Sequence, residues 1–357
     1  MSEGSHRSGP RPGPLIADIE GTALTAEDER ILAHPAVGGA IIFTRNYRDP
    51  VQLAELTAAM RNVRPNLLIT ADQEGGRVQR FRDGFTRVVP MKAIGALAAR
   101  DQDAGLHAAR EIGWLLAVEL GRAGVDMPLA PVVDLDYGAS TVIGDRAFAA
   151  QPGRVGALAQ AFGEGLHAGG SAVTAKHFPG HGYVVADSHA ELPIDERDRA
   201  GLADDMAPYA TLIKTGLDSL MMAHVRYPEV DDLPASLSRH WIEDILRGEY
   251  GFDGCVFCDD LSMGGAAVIG GYRERARLAQ EAGCDYLPVC NDREGLLELL
   301  DDVPYDDEAA CARRETLHAR CGPAEGIDAT LKLEDNARWQ AACALNAQLA
   351  QEYENGL

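Results

Sequence analysis

Short apolar segments alternate with longer amphipathic segments along most of the chain. The short segments are apolar on both faces, which is typical of strands buried in parallel sheets. Eight such strands are predicted, at 15–21, 37–46, 66–76, 125–136, 171–180, 218–228, 254–263 and 284–290. Eight strands that alternate with helices favour an α/β fold with a single (β/α)8 TIM-type barrel, and a doubly wound open sheet is the alternative.

The segments between these strands carry helical signals. In the helix over 49–63, Asp49 is a predicted N-cap and Pro50 occupies the first helical position. The predicted helices lie at 26–35, 49–63, near 104–123, near 153–168, near 199–215, at 238–251 and near 272–282, with two or three more at the C-terminal end. Since neither an internal repeat nor a central linker interrupts the pattern, we expect a disordered tail over 1–13 and one catalytic domain over 14–357.

Composition narrows the function classes. The 357 residues carry a formal net charge of −22, which argues against a nucleic-acid partner because phosphate binding needs clustered lysine and arginine. The N-terminal segment does not have the pattern of a signal peptide, and no apolar run is long enough to span a membrane. With an odd number of cysteines, seven, these features predict a cytoplasmic protein with reduced thiols and no membrane partner. We also expect a monomer, because a closed barrel exposes no strand edge.

Cys255 and Cys258 form a C-x-x-C sequence, a pattern that can mark a redox or metal site. The pair lies in a predicted strand, where residues three apart point to opposite faces. No second C-x-x-C sequence exists to complete a zinc site. We therefore assign no function to this pair.

Polar residues cluster where the predicted strands end. The ends of the third to seventh strands carry Asp72, Gln73, Glu74, Asp134, Asp136, Lys176, His177, His224, Arg226, Asp259 and Asp260. Packing does not explain so many polar groups behind apolar strands, whereas barrel enzymes place their catalytic groups at the C-terminal ends of strands. The sequence therefore predicts an active site at this end.

The segment KHFPGHGYVVADSH, residues 176–189, combines three histidines with a lysine, an aspartate and glycines. Histidine can give and take a proton within one catalytic cycle, and Asp187 is placed to orient the ring of His189. A solvated polar loop is the structural alternative. Metal binding by His177 and His181 is the main chemical alternative, but zinc sites with this spacing lie on helices, and the proline and glycines break any helix here.

Two adjacent carboxylates, Asp259 and Asp260, end the seventh predicted strand. Neighbours on a strand point to opposite faces, so only one of the two should reach the barrel mouth. That carboxylate could act as a nucleophile toward an electrophilic carbon, and capping of the following helix is the alternative role. Periodicity does not distinguish which of the two faces inward.

The turn DQEGGRVQRF, residues 72–81, supplies Asp72, Arg77 and Arg80, and Arg146 adds a further cation. Carboxylates can accept two sugar hydroxyls, and guanidinium groups can clamp oxygens. For Arg77 a structural salt bridge is the favoured interpretation.

Several long motifs, in the same order, resemble those of glycoside hydrolase family 3, and most closely the bacterial cytoplasmic β-N-acetylglucosaminidases of cell-wall recycling. The motifs are KHFPGHG followed by DSH, GGAIIFTRNY, TADQEGGRVQRF, LAPVVDLD, VIGDRAF, CDDLSM and LPVCNDREG. The resemblance covers nearly the whole chain except the first dozen or so residues and the C-terminal tail. Cys258 stands where the family pattern has a serine, a mild change that leaves the adjacent carboxylate in place.

The resemblance implies a retaining hydrolase that releases non-reducing terminal β-1,4-linked N-acetylglucosamine from anhydro-muropeptides, and we expect no cofactor and no metal. It implies that Asp259 is the nucleophile, that His189 is the acid/base and that Asp187 is the partner of His189. The sugar would be bound by Asp72, Arg80, Arg146, Lys176 and His177.

Three alternatives stay open at this point. The acetamido group of the substrate could act as its own nucleophile, with Asp259 and Asp260 as a supporting pair, although strand alternation argues against it. Phosphate could replace water as the acceptor, since a histidine base would not repel it. A sugar-binding module that has lost catalysis is the third alternative, and the presence of Asp259, Asp187 and His189 together argues against that one.

Overall fold

The computed structural model describes residues 10–188, 191–267, 269–305, 307–324, 326–327 and 332–356. All eight predicted strands are present, each shorter than its apolar segment. They are β1 (Leu15–Asp18), β2 (Val37–Ile42), β3 (Leu68–Ala71), β4 (Met127–Pro128), β5 (Thr174–Phe178), β6 (Ser219–Met222), β7 (Cys255–Phe257) and β8 (Leu287–Val289).

These strands form two parallel sheets, in the orders β8-β1-β2-β3-β4 and β5-β6-β7. Isolated parallel bridges join the two sheets at both junctions. Val132, which follows β4, pairs with Lys176 of β5, and Phe257 of β7 pairs with Tyr286, which precedes β8. The prediction of an α/β fold built on parallel strands is confirmed.

Helices alternate with the strands, and the predicted helices agree with the observed ones to within a few residues. The helices are Ala26–Ala33, Pro50–Val63, Met91–Arg100, Gln102–Arg122, Pro152–Ala168, Ala203–Lys214, the π-helix His240–Glu249, Gly264–Ala267, Tyr272–Ala282, Arg293–Leu300, Glu308–Arg320 and Ala337–Glu354. Asp49 caps its helix as predicted, because its side chain accepts a hydrogen bond from the Gln52 amide. No helix in the described ranges is both long enough and apolar enough to cross a membrane.

The helix Met91–Arg100 was not predicted. Its apolar side is regular, with Met91, Ile94 and Ala98 buried. However, Pro90 occupies the N-cap position and offers no side-chain cap, so the usual polar start signal is missing from the sequence.

The strands divide the core into two apolar layers. In β1, Ile16 packs in one cluster while Leu15 and Ala17 pack in the other, as the two-residue period of a strand requires. Cys255 and Cys258 also fall in different clusters. The prediction that these two cysteines point to opposite faces is confirmed.

The last part of the predicted N-terminal tail packs against the domain. The carbonyl of Arg11 accepts a hydrogen bond from Arg64, and the carbonyl of Pro12 accepts one from Arg314. Pro12 and Gly13 are buried. The described chain is therefore anchored before β1 begins.

Candidate active site

Lys176 lies at the centre of a buried group of charges near the C-terminal ends of β3 and β5. Its Nζ is 2.9 Å from Asp72 Oδ1 and 2.7 Å from Glu74 Oε1. The residue is only 2% exposed. Asp72 and Glu74 are two residues apart along extended chain just after β3, a spacing that places both carboxylates on the same side.

A tight hairpin after β3 adds Arg80 to this group. It pairs Gln73–Gly75 with Val78–Gln79 and turns the chain back on itself. Gly75 has a φ of +107°, and a Cβ there would lie 2.7 Å from a backbone oxygen, so the turn requires glycine. The reversal lets Arg80 Nη2 donate to Asp72 Oδ2 at 3.0 Å.

Arg146 reaches the same group from the 3₁₀ turn Gly144–Arg146, which follows β4. Its Nε and Nη2 donate to the two oxygens of Glu74 at 2.8 and 2.9 Å. Such two-pronged, charge-assisted contacts fix both partners in one geometry. Glu74 therefore links Arg146 to Lys176, a role that sequence reasoning did not assign. We call these five residues, Asp72, Glu74, Arg80, Arg146 and Lys176, the charged cluster.

The charged cluster keeps its carboxylates ionised. Burial alone would raise the pKa of Asp72, but the charges of Lys176 and Arg80 outweigh it and hold that pKa well below its usual range. Burial opposes ionisation of Glu74 as well, and Arg146 and Lys176 still lower its pKa to about 2. For Lys176, the two carboxylates outweigh burial and raise the pKa above its ordinary value.

His177 and His181 are both held by Asp134, which lies after β4 and is buried. The Nδ1 of His177 lies 2.8 Å from Asp134 Oδ2, and the His181 amide donates to Asp134 Oδ1 at 2.7 Å. The peptide bonds before His177 and before Pro179 are cis. Sequence reasoning listed Asp134 among the polar strand ends but gave it no role, and it gave His181 no role beyond loop structure.

The chain then forms the histidine loop, residues 180–188. At its start, the Tyr227 hydroxyl donates to the Gly180 carbonyl at 2.6 Å. At its end, Ser188 Oγ lies 3.0 Å from His181 Nε2, and the Ser188 carbonyl accepts from the Gly265 amide at 2.9 Å. Asp187 lies just before this second anchor, and the predicted acid/base, His189, lies outside the described residues.

Asp259 and Asp260, which follow β7, have different surroundings. Asp260 accepts hydrogen bonds from the Ser262 amide and hydroxyl at 2.9 and 2.8 Å and from the Cys290 amide at 3.1 Å. Burial raises its pKa to about 6. These hydrogen bonds tie Asp260 to the turn before the helix Gly264–Ala267 and to the chain after β8, an arrangement that differs from the helix-capping alternative.

The carboxylate of Asp259 accepts a hydrogen bond from the Asp260 amide at 2.9 Å and lies within electrostatic range of two buried histidines. Burial lowers the pKa of His181 and of His224, and the charge of Asp259 opposes that shift in both. The charge of Asp259 therefore reaches both histidines, whereas the carboxylate of Asp260 is held by the turn after β7 and by the chain after β8.

The remaining polar strand ends have structural partners. Arg77 donates to Asp145 and to the carbonyls of Thr141 and Val142, so the structural interpretation of Arg77 is confirmed. His224 Nδ1 lies 2.5 Å from Ser236 Oγ, and its Nε2 lies 3.0 Å from the Asp260 carbonyl.

A metal site built from the histidine segment was the chemical alternative. Within the part of the chain that the structure describes, no group of three or more histidine, cysteine, aspartate or glutamate side chains is placed to hold a metal ion. The ring of His177 contacts Asp134, and the ring of His181 contacts Ser188.

The family model described as "Glycosyl hydrolase family 3 N terminal domain" matches residues 15–312. A β-hexosaminidase from Nitrosospira multiformis is 47% identical over 333 residues, which cover 92% of this chain and 94% of that protein. A β-hexosaminidase from Pseudomonas aeruginosa is 52% identical over 282 residues, which cover 79% of this chain and 83% of that protein.

A solved structure shows the same likeness at the level of the fold. The crystal structure of NagZ from Neisseria gonorrhoeae in complex with N-trifluoroacetyl-D-glucosamine superposes with a TM-score of 0.89 and 42% identity. The match covers 96% of this chain and 99% of that one.

Proposed function

This chain belongs to glycosyl hydrolase family 3 and is an enzyme of the β-hexosaminidase class, and we propose that it releases terminal β-linked N-acetylglucosamine from peptidoglycan fragments with retention of configuration. The observation that carries the proposal is the charged cluster. The five residues predicted to bind sugar are Asp72, Arg80, Arg146, Lys176 and His177. Asp72 and Glu74 connect Arg80, Arg146 and Lys176, and Asp134 binds the ring of His177, the residue next to Lys176 in β5.

The charged cluster suits a polyhydroxylated ring. Its ionised carboxylates accept hydrogen bonds from hydroxyls, and its lysine and arginines donate to ring and hydroxyl oxygens. Because each member is held by a neighbour before any ligand arrives, little reorganisation is needed on binding. The relative from Neisseria gonorrhoeae was crystallised with an N-acylated glucosamine, which fits the same class of ligand.

In the first chemical step, an oxygen of Asp259 forms a bond to the anomeric carbon while the glycosidic carbon–oxygen bond breaks. The leaving oxygen takes a proton from the imidazolium of His189, and Asp187 stabilises that cation. The product of this step is a glycosyl ester of Asp259. Two carboxylates share these tasks in most retaining glycosidases, and here a histidine replaces one of them.

In the second step, neutral His189 takes a proton from water, and the water oxygen attacks the anomeric carbon. The ester bond breaks, Asp259 leaves as a carboxylate and His189 is again protonated. Two inversions at the same carbon give net retention. Catalysis by the substrate acetamido group would need a second supporting carboxylate, and the hydrogen bonds of Asp260 to Ser262 and Cys290 hold it in another role.

The proposal includes finer points on the fold, the substrate, the compartment, the oligomeric state and the acceptor. The eight strands form a closed (β/α)8 barrel, a reading supported by the parallel bridges at both junctions between the sheets. The substrate is an anhydro-muropeptide and the enzyme acts in the cytoplasm as a monomer, as the resemblance in sequence and the closed barrel suggest. Water is the acceptor.

The test is the rate of release of a chromophore from an aryl β-N-acetylglucosaminide. We expect Asp259→Ala to lose at least about four orders of magnitude in kcat, because the nucleophile is removed. Asp232→Ala removes a highly exposed carboxylate and is the matched control. An Asp259→Ala variant that keeps most of its activity, or a wild type that a chelator inactivates, would overturn the covalent, metal-free mechanism, and a glycosyl phosphate formed in phosphate buffer would overturn water as acceptor.

A further inference from the structure

His181 and Ser188 form a buried polar pair that the mechanism above does not use. His181 is 1% exposed and Ser188 is 2% exposed, and their side chains meet at 3.0 Å. The other ring nitrogen of His181, Nδ1, is buried and has no hydrogen-bond partner within the described ranges. The hydrogen bond with Ser188 therefore stabilises this imidazole inside the protein.

Each member of the pair is fixed from a different side of the site. The His181 amide is held by Asp134, the same carboxylate that holds the ring of His177. The Ser188 carbonyl is held by the amide of Gly265, six residues after Asp259. The pair therefore joins the sugar-binding end of β5 to the nucleophile end of β7.

We propose that His181 is a positioning residue that acts through Ser188 to fix the point from which the chain presents the general acid His189. This inference rests on the proposed function. Ser188 directly precedes His189 in the sequence, so the contacts to its hydroxyl and its carbonyl fix the last described residue before the proposed acid. A general acid must lie within hydrogen-bond reach of the leaving oxygen, and small misplacements are costly.

The test compares two substrates that differ only in how much they need the acid. A 2,4-dinitrophenyl leaving group departs without protonation, whereas a 4-methoxyphenyl leaving group needs the proton. For Ser188→Ala, we expect kcat/KM on the 4-methoxyphenyl N-acetylglucosaminide to fall at least about tenfold, while kcat/KM on the dinitrophenyl substrate changes less than about twofold. The parameter kcat/KM reports the first, glycosylation step.

The chain offers a matched control. Thr174 Oγ1 and Ser219 Oγ form another buried contact, at 2.7 Å, where β5 and β6 begin, at the opposite ends of these strands from the site. Ser219→Ala removes a buried hydroxyl and should leave the ratio between the two substrates at its wild-type value. Ser188→Thr keeps the hydroxyl and should restore the wild-type ratio.

A second variant keeps the inference testable if Ser188→Ala is unstable. His181→Gln, alone and combined with Ser188→Ala, should change the ratio no further than Ser188→Ala does, because the two groups act as one unit. An unchanged ratio in all of these variants, with wild type active and Asp259→Ala inactive, would overturn the positioning role while leaving the proposed function intact. Loss of the proposed function would instead appear as an inactive wild type or an active Asp259→Ala variant.

Discussion

The charged cluster and the histidine loop contribute to the same site in opposite ways. Each residue of the charged cluster is bound to an oppositely charged neighbour, and Lys176 at its centre is nearly inaccessible. In the histidine loop, Tyr183 and Val185 are 48% and 60% exposed, and hydrogen bonds anchor the loop at Gly180 and Ser188. Under the proposed function, recognition of the sugar is built into the fold, whereas the proton is delivered from a loop.

The largest effect should come from breaking the charged cluster at its centre. Lys176→Met leaves Asp72 and Glu74 buried with less compensating charge. We expect the free energy of unfolding to fall by about 3–5 kcal/mol, as for other buried ion pairs that lose one partner. Urea denaturation at neutral pH measures this change.

A surface ion pair provides the control for that experiment. Arg273 lies 2.6 Å from Asp302, but its side chain is 65% exposed. Arg273→Met should therefore change the free energy of unfolding by less than about 1 kcal/mol. Equal losses in the two variants would show that the charged cluster is not the preorganised element described here.

The pH dependence of stability should depend on Glu74. Its pKa in the folded protein is about 2, below its ordinary value, so its contribution is present at neutral pH and is lost as the pH falls from about 4.5 toward 2. The size of that contribution is about 3 kcal/mol. Glu74→Gln should flatten the fall in the free energy of unfolding over this range.

Asp260 should affect the pH dependence of stability with the opposite sign, and this sets the pH range in which Glu74 is tested. Its pKa of about 6 lies above its ordinary value, so the folded state loses stability from this group as the pH rises through 4 to 6. Urea denaturation of wild type and Glu74→Gln between pH 4.5 and about 2.5 therefore isolates Glu74. Parallel curves for the two proteins in that range would contradict the assignment.

The smallest effect should come from the exposed part of the histidine loop. Tyr183 packs edge-on against Tyr137 at 5.4 Å, and the Arg197 guanidinium lies 4.0 Å from its ring centre. Under the proposed function, Tyr183→Ala should lower kcat about two- to fivefold, because it removes packing from the loop that leads to the acid. The free energy of unfolding should change by less than about 1 kcal/mol, because the stacked groups are only partly desolvated. Tyr305→Ala, at another exposed tyrosine, should leave kcat unchanged.

Sequence reasoning predicted the strands, most helices and the location of the charged cluster, because these depend on local periodicity and on the rule for strand ends. Lys176 and Asp72 are 104 positions apart, yet both end buried parallel strands, so their meeting could be predicted. The helix Met91–Arg100 was missed because its start carries no polar cap.

Roles that depend on three-dimensional partners could not be predicted. Strand periodicity did not distinguish Asp259 from Asp260, and the difference in their surroundings includes the Cys290 amide, 30 positions away, which binds Asp260. The link from Glu74 to Arg146 spans 72 positions, and the contact of His181 with Ser188 depends on the path of a loop that has no period. Alternation along a strand predicts that neighbouring side chains point to opposite faces, but it does not predict which of them faces the site.

The central claim is that Asp259 forms a covalent bond to the sugar. The most direct measurement is mass spectrometry of the enzyme after incubation with a 5-fluoro-N-acetylglucosaminyl fluoride, a reagent that forms the glycosyl ester but slows its hydrolysis. The account predicts a mass increase of one fluorinated sugar, carried by the proteolytic peptide that contains Asp259 and localised by fragmentation to that residue. Attachment to Asp260, or turnover of the reagent without any adduct, would contradict it.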